Sequence, residues 1–112
     1  MKLEFIYTTI YQRLMKKYNF TNTDEINIEM TILKNPEIGV VVKGTSGVRK
    51  LRYALIKSNK GKSGGFRIFY LYIPESELII FLALLNKKES ENLSDSELNL
   101  LNQKVTQLKK FY

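Results

Sequence analysis

Between Glu37 and Glu75 the chain contains no acidic residue, yet that stretch holds Lys43, Arg49, Lys50, Arg52, Lys57, Lys60, Lys62 and Arg67. The formal net charge of +7 therefore sits entirely in one segment, since basic and acidic residues nearly balance elsewhere. One-signed charge packed this densely is the signature of a polyanion partner. Nucleic acid is the first class to consider, ahead of an acidic protein or a membrane surface.

The residue types that are missing narrow the chemistry further. There is no His, Cys or Trp, which excludes a Ser or Cys nucleophile activated by His, a His acid/base pair and a zinc site. Without Cys there is no disulfide framework, as suits a reducing compartment. Gly61-Lys62-Ser63 matches the end of a phosphate-binding P-loop, but the first glycine of that motif falls on Ile56 and a strand is expected to follow where the motif needs a helix. The stretch reads instead as a glycine-rich hairpin loop. Glu75 and Glu77 lie in a turn, while Glu89, Glu91, Asp95 and Glu97 surround a helix start. These carboxylates have local roles and no metal-ligand spacing, so no metal or cofactor is expected.

The cations must be positioned by elements that the apolar pattern outlines. Leu3 to Tyr7 reads as a short strand, and Ile10, Tyr11, Leu14, Met15 and Tyr18 fall on one face of a helix over 9–18. Residues 23–34 carry conflicting periods: Ile26, Ile28, Met30 and Ile32 alternate as in a strand, whereas Ile26, Met30 and Leu33 recur as on a helix. Asp24 and Glu25 after Thr23, with Pro36 beyond, tip the expectation towards a helix. A brief extended segment at Val40–Lys43 leads through Gly44-Thr45-Ser46-Gly47 to expected strands at 48–57, 66–73 and 78–85 in an antiparallel meander. Leu78–Leu85 is apolar on both faces and should be covered on both sides. Ser94-Asp95-Ser96-Glu97 is a capping box opening a helix to about Lys110, with Leu93 and Leu98 as its staple and Leu98, Leu101, Val105 and Leu108 as its apolar stripe.

Alternation along the first meander strand puts Lys50 and Arg52 on one face and Arg49 on the other, and Arg67 shares a face with Phe69 and Leu71. At 112 residues the chain is expected to be a single domain spanning 1–112. Its N-terminus has no signal-peptide core, and its longest apolar run, Leu78–Leu85, is far short of the roughly 20 residues that span a bilayer. A cytoplasmic protein without membrane partners is expected.

The ordered set Gly47-Val48-Arg49-Lys50-Leu51-Arg52, then Lys60-Gly61-Lys62-Ser63-Gly64-Gly65-Phe66-Arg67, then an apolar strand running into Asn86-Lys87-Lys88 and a capped helix resembles HigB-type toxins of the RelE/ParE superfamily over about residues 36–98. The resemblance implies an α+β fold of RelE type: two N-terminal helices packed on an antiparallel sheet, with a C-terminal helix. It implies a toxin of a toxin–antitoxin system that cleaves mRNA on the ribosome, and a cognate helix-turn-helix antitoxin as partner. By resemblance Lys60, Lys62, Arg67 and Lys87 form the catalytic, phosphate-facing group, while Arg49, Lys50, Arg52, Lys57 and Lys88 contact RNA. Tyr53, Tyr70, Tyr72 and Tyr112 are open candidates for proton transfer. The alternatives are a gyrase-poisoning toxin of ParE type, which is no nuclease, and an RNA-binding module without catalysis.

Overall fold

A computed structural model describes residues 2–56, 65–90 and 92–112. In chain order the elements are β1 (Glu4–Tyr7), α1 (Thr9–Lys17), α2 (Asn22–Lys34), β2 (Val40–Val41), β3 (Arg49–Ala54), β4 (Gly65–Ile73), a 3-10 turn (Pro74–Ser76), β5 (Leu78–Asn86) and α3 (Asp95–Phe111). They form the expected α+β architecture. The strands make one sheet in the order β1-β5-β4-β3-β2. From β2 to β5 the pairing is an antiparallel meander, but β1 lies parallel to β5, so the sheet is mixed.

Strand β5 is the centre of the apolar structure. Ile79, Phe81 and Leu84 face α1 and α2, where Tyr11, Met15, Ile28 and Ile32 cover them. Leu78, Ile80 and Leu82 face the opposite way, with Val105 of α3 buried beside them. A bulge opposite Phe69 and Tyr70 inserts Leu82 into β5. It lets Leu84 return to the α1/α2 side although its parity would send it to the other. Phe81 is fully buried among aromatic rings, with centroids 6.0 Å from Phe5 and 4.9 Å from both Tyr7 and Tyr11. Each such pair contributes about 0.5–1.5 kcal/mol beyond its buried area, which ties β1 and α1 to β5.

Residues 22–34 are helical, but the buried side differs from the expected one. Asp24, Ile28 and Ile32 point inward at four-residue spacing, while Ile26 and Met30 are exposed. The register is set by the helix start. Thr21 is the N-cap, its hydroxyl accepting from Asp24 N at 3.2 Å, and Asp24 Oδ2 accepts from Thr21 N at 2.9 Å. The expected cap, two residues later, missed this Thr-x-x-Asp box.

Asp24 does more than close its own helix turn. Its other oxygen accepts from the Tyr53 hydroxyl at 2.6 Å and from Ile56 N at 3.2 Å, so one buried carboxylate joins α2 to the end of β3. Burial opposes its ionisation, but the hydrogen bonds from Tyr53, Thr21 and Ile56 outweigh that and hold the carboxyl below its ordinary value. On the far side, α3 starts at the expected Ser94–Glu97 box and is tied to the Gly44–Gly47 turn by Lys109 Nζ, which donates to Ser46 O at 2.5 Å. No helix among the described residues is long and apolar enough to cross a membrane.

Two expectations follow for stability. Asp24→Asn leaves only one acceptor oxygen for donors that now share two, and should cost about 1.5–3 kcal/mol in urea denaturation. Because the folded carboxyl is held below its unfolded value, its contribution is present at neutral pH and is lost as the pH falls through the folded value. The wild type should therefore lose stability below about pH 4 with a steeper slope than Asp24→Asn. Tyr11, by contrast, is fully buried with a hydroxyl that has no hydrogen-bond partner among the described residues. Tyr11→Phe should be neutral or stabilising by up to about 1 kcal/mol, and a loss above about 1.5 kcal/mol in the same assay would contradict this.

Candidate functional site

Pairing between β3 and β4 brings together cations that are fifteen positions apart in sequence. Arg52 lies directly opposite Arg67, and Lys50 opposite Phe69. Directly opposed residues on one sheet face have Cβ atoms about 4.5–5.5 Å apart, a placement in which like charges repel. Phe69 and Leu71 belong to the core under α3, so Lys50, Arg52 and Arg67 share that face of the sheet. Lys87 joins them. A Cβ placed on Gly65 would lie 3.7 Å from Lys87 Cδ, so the Lys87 stem runs past the start of β4 on the Arg67 side.

The resulting patch occupies the part of the sheet that the C-terminal helix leaves open. Arg52 and Lys87 are exposed, while Lys50 and Arg67 are half-buried. The only hydrogen bond of the Arg67 side chain among the described residues is a long one, 3.4 Å, to Phe66 O. Among those residues the single ion pair is Arg49–Glu37, so none of the four patch cations has an acidic partner there. Glu89, close in sequence to Lys87 and Lys88, is instead engaged by the Tyr18 hydroxyl. Lys88 is exposed in the turn after β5, with its backbone N–H donating to Asn86 Oδ1 at 3.0 Å. No three acidic side chains among the described residues converge closely enough to share a metal ion.

Arg49 does not join this patch. It stands on the α1/α2 face, where its Nη1 donates to Gly39 O at 2.8 Å and Glu37 O at 3.1 Å, and its Nη2 pairs with Glu37 at 3.5 Å. Its guanidinium braces the 36–39 turn, on the face of the sheet opposite Lys50, Arg52 and Arg67. The same turn is held by Tyr70, whose buried hydroxyl donates to Pro36 O at 2.8 Å and accepts from Gly39 N at 3.0 Å. The contact requires glycine at 39, since a Cβ there would meet the Tyr70 ring at 2.9 Å.

The tyrosines expected as proton carriers are likewise placed elsewhere. Tyr53 and Tyr70 point into the opposite core with their hydroxyls committed to Asp24 and Pro36, and burial pushes both phenols up. Tyr72 packs against that same core, and Tyr112 lies at the C-terminal end of α3 near Pro74, away from the start of β4. Lys57, Lys60 and Lys62 lie outside the described residues. Gly61-Lys62-Ser63 also lie outside the described residues, and the element that follows them is the expected strand, β4, where a P-loop needs a helix.

Sequence reasoning missed the Arg52–Arg67 opposition, because the register of two strands separated by ten residues of sequence cannot be counted as it can across a two-residue turn. It also missed Asn92 and Val42, which border the patch next to Lys50. Their only sequence signal is proximity to the Leu93 staple and to the basic segment.

The fold can be set beside known structures. The chain is similar to a double arginine-to-alanine mutant of the E. coli toxin RelE in the free state, with a TM-score of 0.52 and 18% identity, over 81% of this chain and 90% of that one. No protein-family profile matches the sequence. The similarity establishes a RelE-like fold.

Two arginines directly opposed across neighbouring strands, with no acidic partner among the described residues, should cost stability. Arg52→Gln is expected to raise the unfolding free energy by a few tenths to about 1 kcal/mol at low salt, a gain that shrinks as ionic strength rises. Arg49→Ala, which removes backbone hydrogen bonds from the 36–39 turn, should lower it by about 1–3 kcal/mol in the same denaturation series.

Proposed function

We propose that this chain is a single-domain cytoplasmic toxin of a toxin–antitoxin system, of HigB type, that cleaves mRNA on the ribosome. The observation that carries the reading is the direct opposition of Arg52 and Arg67 on an open sheet face, joined by Lys50 and Lys87 and without an acidic partner among the described residues. A fold that tolerates this repulsion gains from it only when an anion arrives. The RelE-like fold supports the same conclusion.

RNA supplies its own nucleophile, which suits a protein without imidazole or thiol. The 2′-oxygen attacks the adjacent phosphorus, the bond to the 5′-oxygen breaks, and the products are a 2′,3′-cyclic phosphate and a free 5′-hydroxyl. The protein has to align the backbone, take the proton from the 2′-hydroxyl, return one to the leaving oxygen and stabilise the added negative charge. Arg67 is assigned the last task, with Arg52 and Lys50 holding flanking phosphates. Lys62 is assigned the proton transfer together with Lys87. Lys88 is assigned to RNA contacts at the turn after β5, and Lys57 to RNA contacts by the resemblance alone. The four candidate tyrosines stand away from the patch, which supports lysine over tyrosine as the proton carrier. The cognate antitoxin is assigned as a helix-turn-helix protein.

The test is a cell-free translation reaction in which new mRNA 5′ ends are mapped with and without ribosomes. Cuts should appear only on translated message, and Arg67→Ala or Lys62→Ala should slow them about a hundred- to a thousand-fold. Growth arrest by the folded protein without any cuts would refute nuclease action and favour a target such as gyrase.

A further inference from the structure

The cationic patch has an acidic neighbour that it does not pair with. Glu89 lies two residues beyond Lys87 and next to Lys88, all three exposed in the turn after β5. Asn86 O accepts from both Glu89 N and Ser90 N at 3.0 Å, so the turn is tight. Consecutive Cα atoms are about 3.8 Å apart, which keeps Glu89 within about 7.6 Å of Lys87 by Cα. Two long side chains can close that gap, yet the single ion pair among the described residues is elsewhere, between Arg49 and Glu37.

What holds Glu89 away is Tyr18, the C-cap residue of α1, whose hydroxyl donates to Glu89 Oε1. A hydrogen bond to an ionised carboxylate is among the stronger kinds. It pushes the Tyr18 phenol up from its ordinary value, so the phenol keeps its proton and stays the donor. The ring is seated edge-on against buried Phe66, with centroids 5.2 Å apart, and Phe66 lies opposite Asn86 at the root of the turn. Lys17 Nζ stands 5.1 Å from the centroid of the Tyr18 ring and adds positive charge on that side. Tyr18 packs on the α1/α2 core, so its bond draws Glu89 round the end of β5, away from the face that carries Lys50, Arg52 and Arg67.

We propose that Tyr18 is a positioning residue that holds Glu89 off the patch, so that Lys87 and Lys88 meet an incoming polyanion without an internal carboxylate competing for them. The inference rests on the RNA-binding reading given above and adds to it the device that keeps these cations available.

The experiment measures binding of a single-stranded RNA hexamer, and of a heparin oligosaccharide as a polyanion without bases, across a salt series. Tyr18→Phe keeps the ring against Phe66 and removes only the hydroxyl. It should weaken both probes about three- to ten-fold at low salt and reduce the salt slope for RNA by about 0.7, the loss of one phosphate contact. Glu89→Ala also breaks the clamp but removes the competing charge, so it should bind at least as well as wild type and should restore binding in the Tyr18→Phe background. A merely structural clamp gives the opposite pattern, with Glu89→Ala as weak as Tyr18→Phe and the double variant no better. That pattern, or Tyr18→Phe binding like wild type, overturns the positioning role while RNA binding by wild type still supports the RNA reading. The expected pattern with heparin and no binding of RNA upholds the positioning role and refutes the RNA reading. If wild type binds neither probe, both fall.

Discussion

Strand β5 has apolar side chains on both faces, and a strand of that kind is stable only between two layers. The α1/α2 pair fills one side and α3 the other. This demand explains most of the remaining architecture. It sets β5 inside the sheet with β4 on one flank and β1 on the other, and it makes the C-terminal helix a structural necessity. It also limits what α3 can cover. The helix spends its apolar stripe on Val48, Leu71, Ile73 and β5, so the sheet around Arg52, Arg67 and Lys87 stays open. The basic patch is the uncovered remainder of a face whose other part is core.

That remainder is built against stability. Two arginines directly opposed across neighbouring strands, with no acidic partner among the described residues, are an arrangement that folding alone would not favour. Sites that bind or react often carry such a local cost, offset by packing elsewhere. Here the offset is identifiable. The aromatic cluster around Phe81 and the four-bonded Asp24 carboxylate lie on the opposite face, away from the repulsion. The α1/α2 side of the sheet carries one core, while the other side is divided between the α3 core and the charged patch.

Arg49 and Arg52 show how finely this division is drawn. They are separated by two residues and share a residue type, yet one braces a turn through carbonyls and Glu37 while the other is exposed beside Arg67. Strand pleat alone decides between them. The tyrosines divide in the same way, since Tyr53 and Tyr70 sit at positions whose parity sends them into the core.

Several features depended only on local physics and were therefore legible in the amino-acid order. The Ser94–Glu97 capping box, the Leu98–Leu108 stripe, the doubly apolar β5 and the faces of Lys50, Arg52 and Arg67 follow from turn chemistry and from periods of 3.6 and 2, and the structure has them all. The acid-free basic segment is likewise a property of composition. What required the tertiary structure was each pairing between distant segments. The opposition of Arg52 to Arg67 depends on a strand register that is not encoded locally. The inward turn of Asp24, Ile28 and Ile32, in place of Ile26 and Met30, depends on a Tyr53 hydroxyl reaching Asp24 from another element. The parallel placement of β1 and the bulge in β5 depend on which core each strand must meet. Local order settles what an element is, whereas its partner and register are settled by burial and hydrogen bonding that exist only once the chain has closed on itself.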